Sequence, residues 1–589
     1  MQAVKNKDRS RLIAAAMQQI PCDLTVENVK FVNVITGEIY PASVDILDGI
    51  VVRVREEGET TETPSKETYD AQGRYMVPGF IDTHLHIEST MMVPENFARA
   101  VARCGSTAVM TDPHEIGNVM GIDGVKFMID NAKQAPIRVY TLTPSCVPSV
   151  VGAEGSGASF EAKDIKELFN EDSVIGVAEV MDFIGVIYDV PRMHDIVQAG
   201  MDAGLFIQGH APGLTGKELV AYKIAGPVSC HESRVGAEVR QKLRMGMHVN
   251  LQSSSLSLGL LPELIKGTEG MRWKDNVSIC TDDIHAKDIL ETGHINRVIK
   301  HALALGVDPI DAIRYATYNP AREFGFTDMG AIAPGYVADF QLLDELDGRN
   351  PKTVFVGGKV IVEDYELVDD HEPKPLDFPN TVKLSQVTGK EVFCLKAPEG
   401  CGDTVKTAVM TTDGTIMYHL EYEDLPVKDG YVDISADPNL CFVALCNRHG
   451  ASDMTVAVYR GFGLEKGAVA STISHDCHNF TVVFKKPEDA YAAAKELERV
   501  GGGITAVENG QIISTLELPV AGLMSDLPAE KVAVNVEKTE KAIATLCYGK
   551  EGMLLKTAVM ALACLPCVVI TDRGLWDGLH SKFCEPFQL

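Results

Sequence analysis

Eight short apolar runs alternate with amphipathic stretches between residues 77 and 280, and this alternation restricts the fold more than any other feature of the chain. The stretches between the runs have the apolar spacing of helices. The runs are Val77–Ile81, Thr107–Met110, Arg138–Leu142, Val174–Ala178, Leu205–Gln208, Pro227–Cys230, Met247–Leu251 and Val277–Cys280. Eight strand–helix units in this length are typical of a TIM-type (β/α)8 barrel, whose chemistry lies at the C-terminal ends of the strands.

Reactive side chains follow most of these runs. They are His84 and His86, then Asp112, His114 and Glu115, then Glu179, His210, His231 and Glu232, and finally Asp282 and Asp283. Any one of them could be a helix cap or a core residue. Because the strand ends of a barrel converge on one mouth, their recurrence at the same structural position favours a shared site.

The residue types in this set suit a metal centre. His84 and His86 alternate, so in a strand they share one face. Four histidines with two carboxylates are enough to hold two divalent cations, and the expected ligands are His84, His86, Glu179, His210, His231 and Asp282, with Glu179 as the bridge. Mixed nitrogen and oxygen donors favour Zn, Mn or Fe over Ca or Mg. Such a centre lowers the pKa of bound water towards neutrality.

The composition of the chain indicates which kinds of molecule it can bind and in which compartment it works. The chain has 589 residues and a formal net charge of −28, which argues against a nucleic-acid surface and fits a small neutral or cationic substrate. Its 14 cysteines are scattered without a disulfide framework, so we expect reduced thiols in the cytoplasm. The longest apolar run, Thr557–Ile570, is too short to span a bilayer, and no membrane partner is expected.

The hydrophobic pattern divides the chain into several regions. We predict an N-terminal helix in residues 1–22 and a linker in residues 371–380. Residues 23–76 and 336–370 alternate as strands do and are predicted to form one small composite β-sandwich domain. Residues 77–335 are predicted to form the metal-dependent barrel, and residues 381–589 a C-terminal α+β domain.

Two motifs of the C-terminal region carry possible chemistry. Ser474–Asn479 contains His475 and His478, which could bind metal or reach substrate, or could belong to a structural loop network. Cys564 and Cys567 have the spacing of a redox motif, but no second cysteine pair supports that function. We interpret this cysteine pair as part of the core.

Several motifs of the chain resemble known families. Pro78–His86 resembles the first-strand signature of the amidohydrolase superfamily, and Gly330–Asp339 resembles its exit from barrel to β-domain. A narrower resemblance, to the bacterial adenine deaminase family, covers nearly the whole chain. Its motifs are His86–Met92, Asp112–Gly121, Gly209–Leu214, Cys230–Ser233, Cys280–Asp283, Gly461–Leu464, Ser474–Asn479 and Leu518–Ser525.

The resemblance implies hydrolytic deamination of adenine to hypoxanthine and ammonia by a metal-activated hydroxide, as in purine salvage. It also implies a binuclear Mn or Fe centre, with Zn possible, bridged by a glutamate in place of the carboxylated lysine of many amidohydrolases. Asp282 is expected to transfer the protons, with Glu88 and His114 as further catalytic residues. The residues expected to bind the substrate are Asp112, Glu115, Asp283, His475 and His478. A homodimer is the expected assembly.

Two other functions are weighed against this one. The first is another amidohydrolase that acts on cyclic amides, of the dihydroorotase or hydantoinase type; glutamate at position 179 instead of lysine counts against it. The second is a non-catalytic barrel that only binds metal. The presence of every expected ligand, Asp282 included, counts against this second function.

Overall fold

The computed structural model of the chain describes residues 3–255, 259–368, 371, 373–412, 417–550 and 552–588. The predicted domain limits at Met1, Asp370 and Leu589 lie outside these residues. Among the described residues, no helix combines the length and the apolar character that crossing a membrane requires.

A short helix and five strands precede the barrel. They are α1 (Arg9–Ala16), β1 (Leu24–Asn33), β2 (Glu38–Leu47), β3 (Ile50–Glu56), β4 (Glu67–Asp70) and β5 (Tyr75–Pro78). Val29 and Phe31 of β1 are buried while Lys30 between them is exposed, the alternation of a sheet with one face in a core. Burial of one apolar face therefore stabilises this sheet, as in other amphipathic sheets.

Eight parallel strands follow and form the predicted barrel. They are β6 (Phe80–Leu85), β7 (Ser106–Thr111), β8 (Arg138–Thr143), β9 (Val174–Val180), β10 (Phe206–Gly209), β11 (Ser229–Cys230), β12 (His248–Gln252) and β13 (Val277–Cys280). The first five strands make one sheet and the last three another. The Val228 N–H donates to Ile207 O at 3.0 Å, and the Asp282 N–H donates to His84 O at 3.0 Å, so both seams between the two sheets are bridged.

Thirteen described helices accompany the barrel strands. They are α2 (Pro94–Ala102), α3 (His114–Met120), α4 (Ile122–Ala132), α5 (Ala162–Leu168), α6 (Phe183–Ile187), α7 (Pro191–Asp202), α8 (Gly216–Ala225), α9 (Gly236–Arg244), α10 (Leu261–Lys266), α11 (Ala286–Thr292), α12 (Ile295–Ala304), α13 (Pro309–Tyr315) and α14 (Tyr318–Glu323). Their apolar faces pack on the barrel, as in α12, where Ile295, Val298 and Ile299 are buried. The (β/α)8 prediction is thereby confirmed.

The first predicted strand was wrong in its bounds. The run Val77–Ile81 is divided at Gly79, because Val77 belongs to β5 whereas Phe80 and Ile81 begin β6. Val77 pairs with Gln341 of the later β14, a contact that the local sequence does not encode. A side chain at Gly79 would meet the Thr107 side chain at 2.1 Å, so glycine lets the chain pass between the two sheets.

The chain returns to the first sheet after the barrel. The returning strands are β14 (Phe340–Leu343), β15 (Thr353–Val356), β16 (Lys359–Glu363) and β17 (Glu366–Leu367). They extend β1–β5 into a nine-stranded sheet, in which β14 lies antiparallel to β5. Arg138 at the start of β8 makes two hydrogen bonds to Asp339, at 2.6 and 3.0 Å, and ties this sheet to the barrel.

The C-terminal region is a mixed α/β unit. Its elements are β18 (Thr404–Thr412), β19 (Tyr418–Lys428), β20 (Tyr431–Val432), β21 (Leu440–Cys446), β22 (Met454–Arg460), β23 (Ala468–Ser471), β24 (Phe480–Phe484), α15 (Pro487–Val500), β25 (Gly503–Glu508), β26 (Gln511–Glu517), α16 (Ala529–Leu546), α17 (Met553–Val559), β27 (Val568–Thr571), β28 (Gly574–Asp577), β29 (Lys582–Cys584) and β30 (Phe587–Gln588). A ten-stranded sheet is its centre. Cys567 is buried as expected, whereas Cys564 is exposed because it lies in a loop before β27.

The C-terminal region packs on the mouth of the barrel. The Ser525 N–H donates to Met91 O at 2.9 Å, directly after the loop that carries His86 and Glu88. Asn96 Nδ2 donates to Asp526 O at 2.8 Å. One continuous apolar cluster joins the two regions and includes buried side chains from both. The loops of the C-terminal region therefore have direct access to the predicted site.

Candidate active site and metal centre

The predicted ligands come together at the C-terminal ends of the barrel strands. His84 lies in β6 and Glu179 in β9, where each is held by the parallel hydrogen bonds of the barrel. The first positions after β6, β10 and β11 are occupied by His86, His210 and His231. Asp282 is the second residue after β13. Two groups consist only of these side chains and have ligand atoms within 4.8 Å of one another: His84 with His231 and Asp282, and Glu179 with His210 and His231.

Glu179 lies between two sets of histidines. Its Oε2 is 2.5 Å from His210 Nδ1 and 3.2 Å from His231 Nε2. Its Oε1 is 3.3 Å from His86 Nε2. The two oxygens of one carboxylate thus face different histidines, which is the arrangement that a bridge between two cations needs.

Asp282 lies beside His84 and His86, the two histidines at the end of β6. Its Oδ1 is 3.5 Å from His84 Nε2 and 3.4 Å from His86 Nε2. Asp282 adopts φ 55°, a left-handed conformation that is uncommon outside glycine. Its backbone joins β13 to β6, so this turn aims the carboxylate at the paired histidines.

Hydrogen bonds fix the ring orientation of two predicted ligands. His84 Nδ1 is 2.8 Å from Gln208 Oε1, and the amide of Gln208 donates to Thr83 O, so the ring nitrogen is the donor of this pair. His86 Nδ1 donates to Asp112 O at 3.0 Å. In the neutral tautomers the Nε2 lone pairs of both rings then point into the cluster, and an anchored second nitrogen is typical of a metal-binding histidine.

The cluster keeps its carboxylates ionised. Burial alone would raise the pKa of Glu179, but the charge of His210 and the close approach of the His210, His231 and His86 rings lower it well below its ordinary value. For Asp282, the nearby rings of His84 and His86 likewise outweigh burial and lower its pKa well below the usual range. An ionised carboxylate is the form that binds a cation.

The donor set fits divalent cations. Each donor is an imidazole nitrogen or a carboxylate oxygen, and every ligand side chain except His210 is almost completely buried. His84 Nε2 and His231 Nδ1 have no hydrogen-bond partner among the described residues. Unpaired buried polar atoms are costly in a protein interior. For His84 the unpaired nitrogen is the one that faces the cluster, where a cation would satisfy it.

Asp112 and His114 form a second polar layer beside Glu179. His114 Nδ1 lies 3.3 Å from Asp112 Oδ2 and 3.7 Å from Glu179 Oε1. Both carboxylate oxygens of Asp112 are buried and accept no hydrogen bond from the part of the chain that the structure describes. They are therefore available to a ligand, to a cation, or to water.

Glu88 and Glu115 form a pair of buried acids at the mouth. Glu88 Oε1 accepts from the Ile116 N–H at 3.2 Å, whereas its Oε2 has no partner among residues in the described ranges. Burial and the negative charge of Glu115 raise the pKa of Glu88 to about 8. Ser89 Oγ lies 3.1 Å from Glu115 Oε1 and 2.5 Å from Asp283 Oδ1, so it connects two predicted substrate-binding residues.

The loop Ser474–Asn479 reaches this mouth from the C-terminal region. His475 Nδ1 lies 3.5 Å from Glu115 Oε1, and Asp476 Oδ1 lies 3.9 Å from His114 Nε2. Asn479 Nδ2 donates to Gly155 O of the barrel at 2.8 Å. A cavity at this junction is lined from both sides, by Ser89 among others from the barrel and by His475 among others from the loop.

His478 lies in the same loop, but its ring is oriented as a donor. The Ser474 N–H donates to His478 Nδ1 at 3.2 Å, so the neutral ring carries its proton on Nε2. That nitrogen is buried and lies 3.9 Å from Glu115 Oε2. As an N–H donor, His478 can contact a substrate or the acids of the mouth. The ligand atoms of Glu115, His475 and His478 also lie within 4.8 Å of one another.

Sequence reasoning missed two residues that support the site. Gln208 orients His84, and its place in β10, two residues before His210, could have indicated that it faces the barrel interior. Asp476 approaches His114 from another part of the fold. No local pattern could indicate that contact, because it joins segments more than 300 residues apart in sequence.

Two family profiles match the chain. Residues 75–361 match the profile described as the amidohydrolase family, which covers the barrel and its returning strands. Residues 416–582 match the profile described as the adenine deaminase C-terminal domain. Among solved structures, a β-aspartyl dipeptidase from Fervidobacterium islandicum is similar with a TM-score of 0.46 and 20% identity, covering 59% of this chain and 98% of that one.

Curated relatives match over nearly the whole length. An adenine deaminase from Oleidesulfovibrio alaskensis is 36% identical over 579 residues, which are 98% of this chain and 98% of the relative. An adenine deaminase from Desulfatibacillum aliphaticivorans is 37% identical over 587 residues, which are 98% of this chain and 99% of the relative. With a barrel and a C-terminal unit that both match, and with identity of this level from end to end, the chain belongs to the adenine deaminase family of the amidohydrolases.

Proposed function

We propose that the chain hydrolyses adenine to hypoxanthine and ammonia at the mouth of the barrel. One observation carries the proposal: the two oxygens of Glu179 face separate histidine sets in a chain that is collinear with adenine deaminases. The family match leaves a cyclic-amide hydrolase or a non-catalytic barrel without support. A neutral purine base also suits an acidic mouth.

Two divalent cations are proposed to lie in the cluster. His84, His86 and Asp282 would hold one, His210 and His231 the other, and Glu179 would contact both. When bound, such cations polarise the atoms that they contact and lower the pKa of water. Mn and Fe are proposed as the metals, with Zn possible, since the nitrogen and oxygen donors suit all three.

Asp282 is proposed to transfer the protons of the reaction. In the overall change, the oxygen of water bonds to C6 of adenine, the bond from C6 to the exocyclic nitrogen breaks, and the nitrogen leaves as ammonia. Asp282 is ionised and lies in the cluster, so it can accept a proton from water and give it to the departing nitrogen. Its fixed turn keeps the carboxylate in place during both transfers.

The second layer is proposed to bind the purine. Adenine presents ring nitrogens that accept hydrogen bonds and a ring N–H that donates one. Glu88, whose pKa of about 8 keeps it protonated at neutral pH, can donate to a ring nitrogen. Asp112, which is buried with unpaired oxygens, can accept from an N–H. His114, Glu115 and Asp283 would orient these two groups.

The C-terminal loop is proposed to close the site. His475 and His478 would contact the base or the acids that bind it, and the loop would exclude water from the mouth. The packing of Ser525 against Met91 supports this arrangement, because it anchors the C-terminal region beside the first strand end. This proposal gives the additional domain a function in the reaction itself.

Two properties of the whole protein are proposed alongside. A cytoplasmic location is supported by the cysteines, all of which are free thiols. A homodimer is supported by exposed apolar side chains at two helices that touch one another: Ile184 on α6, Tyr188 directly after α6, and Ile224 on α8. Light scattering of the purified protein tests the dimer.

Ammonia release tests the proposed reaction. The protein would be stripped of metal and reloaded separately with Mn, Fe and Zn. Each form would be assayed for ammonia release from adenine and, separately, for ring opening of hydantoin and dihydroorotate, which releases no ammonia. Ammonia from adenine in at least one metal form, without ring opening of either cyclic amide, is the expected result. Hydrolysis of a cyclic amide without any adenine turnover would contradict the proposal.

A further inference from the structure

A buried lysine lies behind the metal cluster, on the outer helix α9. Lys242 is completely inaccessible to solvent, and its Nζ has three acceptors nearby. They are Ala211 O at 2.9 Å, Ser233 Oγ at 3.1 Å and Cys230 Sγ at 3.2 Å. Ala211 follows His210, and Cys230 precedes His231. One ammonium group thus binds both loops that carry the second pair of histidines.

Glu238 lies one turn earlier on the same helix and binds the same loops. Its Oε2 is 3.7 Å from Lys242 Nζ. The same oxygen accepts the Gly213 N–H at 3.2 Å and the Arg234 N–H at 3.4 Å. The two charges partly neutralise each other, and the remaining hydrogen bonds of the pair all end in residues 211–213 and 230–234.

The other histidines are anchored by different groups. His84 is oriented by Gln208 and His86 by the backbone of Asp112, and among the described residues neither anchor is hydrogen-bonded to α9. A buried charged pair adds little stability that apolar side chains of the same volume could not supply. The contacts of Lys242 and Glu238 are with the loops that carry His210 and His231, and this indicates a role in positioning these two histidines.

We propose that Lys242 and Glu238 are positioning residues that hold His210 and His231 against Glu179, and that they set the affinity for one cation of the pair. The inference rests on the proposed metal centre. The cation held by His84 and His86 has its own anchors in Gln208 and in the Asp112 backbone, so it should depend less on the α9 pair. Loss of the pair therefore affects the two cations unequally, whereas a general loss of stability would affect them alike.

The test compares metal binding by wild type and by Lys242→Met, which keeps an unbranched side chain that is one atom shorter and removes the donor. Each protein is equilibrated with buffered free Mn²⁺ over a range of concentrations, and bound metal is counted by elemental analysis. Second-layer substitutions typically weaken metal binding about 10–100-fold. We expect one ion to weaken by that factor while the other keeps its wild-type affinity.

Three further variants make the result decisive. Lys266→Met removes an exposed lysine paired with Glu263 at 2.8 Å on the adjacent helix α10, and should bind both ions normally. Ser233→Ala removes one acceptor of Lys242, and Glu238→Gln removes the negative charge beside it. Each should weaken binding of the same ion to a smaller extent. These two milder variants carry the test if Lys242→Met does not fold, as judged by the thermal unfolding of the metal-free protein.

The possible outcomes separate the two proposals. Fewer than two ions on wild type would contradict the proposed binuclear centre. Two ions on wild type, with unchanged or equally weakened binding of both ions in folded α9 variants, would overturn the inference on Lys242 and Glu238. Selective weakening of one ion supports it.

Discussion

His210 Nδ1 lies 2.5 Å from Oε2 of Glu179, while the other oxygen of that carboxylate faces His86. Changing Glu179→Gln should therefore lower the metal content below that of the wild type as well as the rate, because a neutral amide is a poor bridge between cations. Elemental analysis with parallel kinetics checks this. Glu218→Gln, at an exposed position on α8, is the control. Full binuclear occupancy in Glu179→Gln would rule out the bridge.

Replacement of Asp282 by Asn should affect the proton transfer more than the metal. The amide preserves the shape of the side chain and removes the base, so kcat should fall about 10²–10⁴-fold, the usual loss when general acid–base catalysis is removed. Turnover of adenine is measured at saturating Mn²⁺, with metal content determined on the same sample. A kcat within a few-fold of wild type, with metal retained, would transfer the role to Asp283 or Glu88.

The C-terminal loop can be tested without deleting its domain. His475→Ala and His478→Ala should each lower kcat/KM for adenine, because both rings lie beside Glu115 at the mouth. His580→Ala is the matched control, since this histidine lies in the same region but is exposed and paired with Asp577. Unchanged kcat/KM in both loop variants, with normal thermal stability, would leave the loop as a framework of its own domain.

Glu154 should make the stability of the protein depend on pH. Burial, assisted by the negative charge of Asp476, raises its pKa from 4.5 to about 8. A carboxyl group whose pKa rises on folding binds its proton more tightly in the folded state. Its contribution to stability is therefore complete below its unfolded pKa and is lost as pH rises through about 8.

Glu154→Gln removes this titration and keeps a side chain of similar shape beside Ser149. Its unfolding midpoint, relative to wild type, should increase between pH 5 and pH 9. Thermal melts across that range measure the difference, with Glu218→Gln as the control. Parallel curves for wild type and Glu154→Gln would show that the carboxyl group titrates normally.

Much of the fold could be predicted because each barrel strand carries its own signal. The apolar runs are local, and the position of a polar residue after a run predicts where it lies in the barrel. His84 and His86 are examples, since the period of a strand places them on one face. By contrast, the apolar pattern places Val77 in the barrel although Val77 pairs with Gln341, because partner choice between distant strands has no local signature.

The supporting residues of the site were harder to predict for the same reason. Lys242 lies on a helix whose charged residues would ordinarily face solvent, and only the loops packed over it show that it is buried. Asp476 and His114 are neighbours only after two parts of the fold have packed together. Sequence patterns predict which side chains lie on each face of a strand or helix, and less often which distant residues those side chains contact.

The pairing of β5 with β14 also has a consequence for synthesis of the chain. Pro78 emerges from the ribosome roughly 260 residues before its partner Phe340, and at 5–20 residues per second the interval is about 13–50 seconds. During that time one edge of β5 can pair with β1, but the edge that pairs with β14 has no native neighbour, and an open strand edge is prone to pair wrongly. Chaperone binding to the nascent chain would therefore be of use until β14 is synthesised and the first sheet is complete.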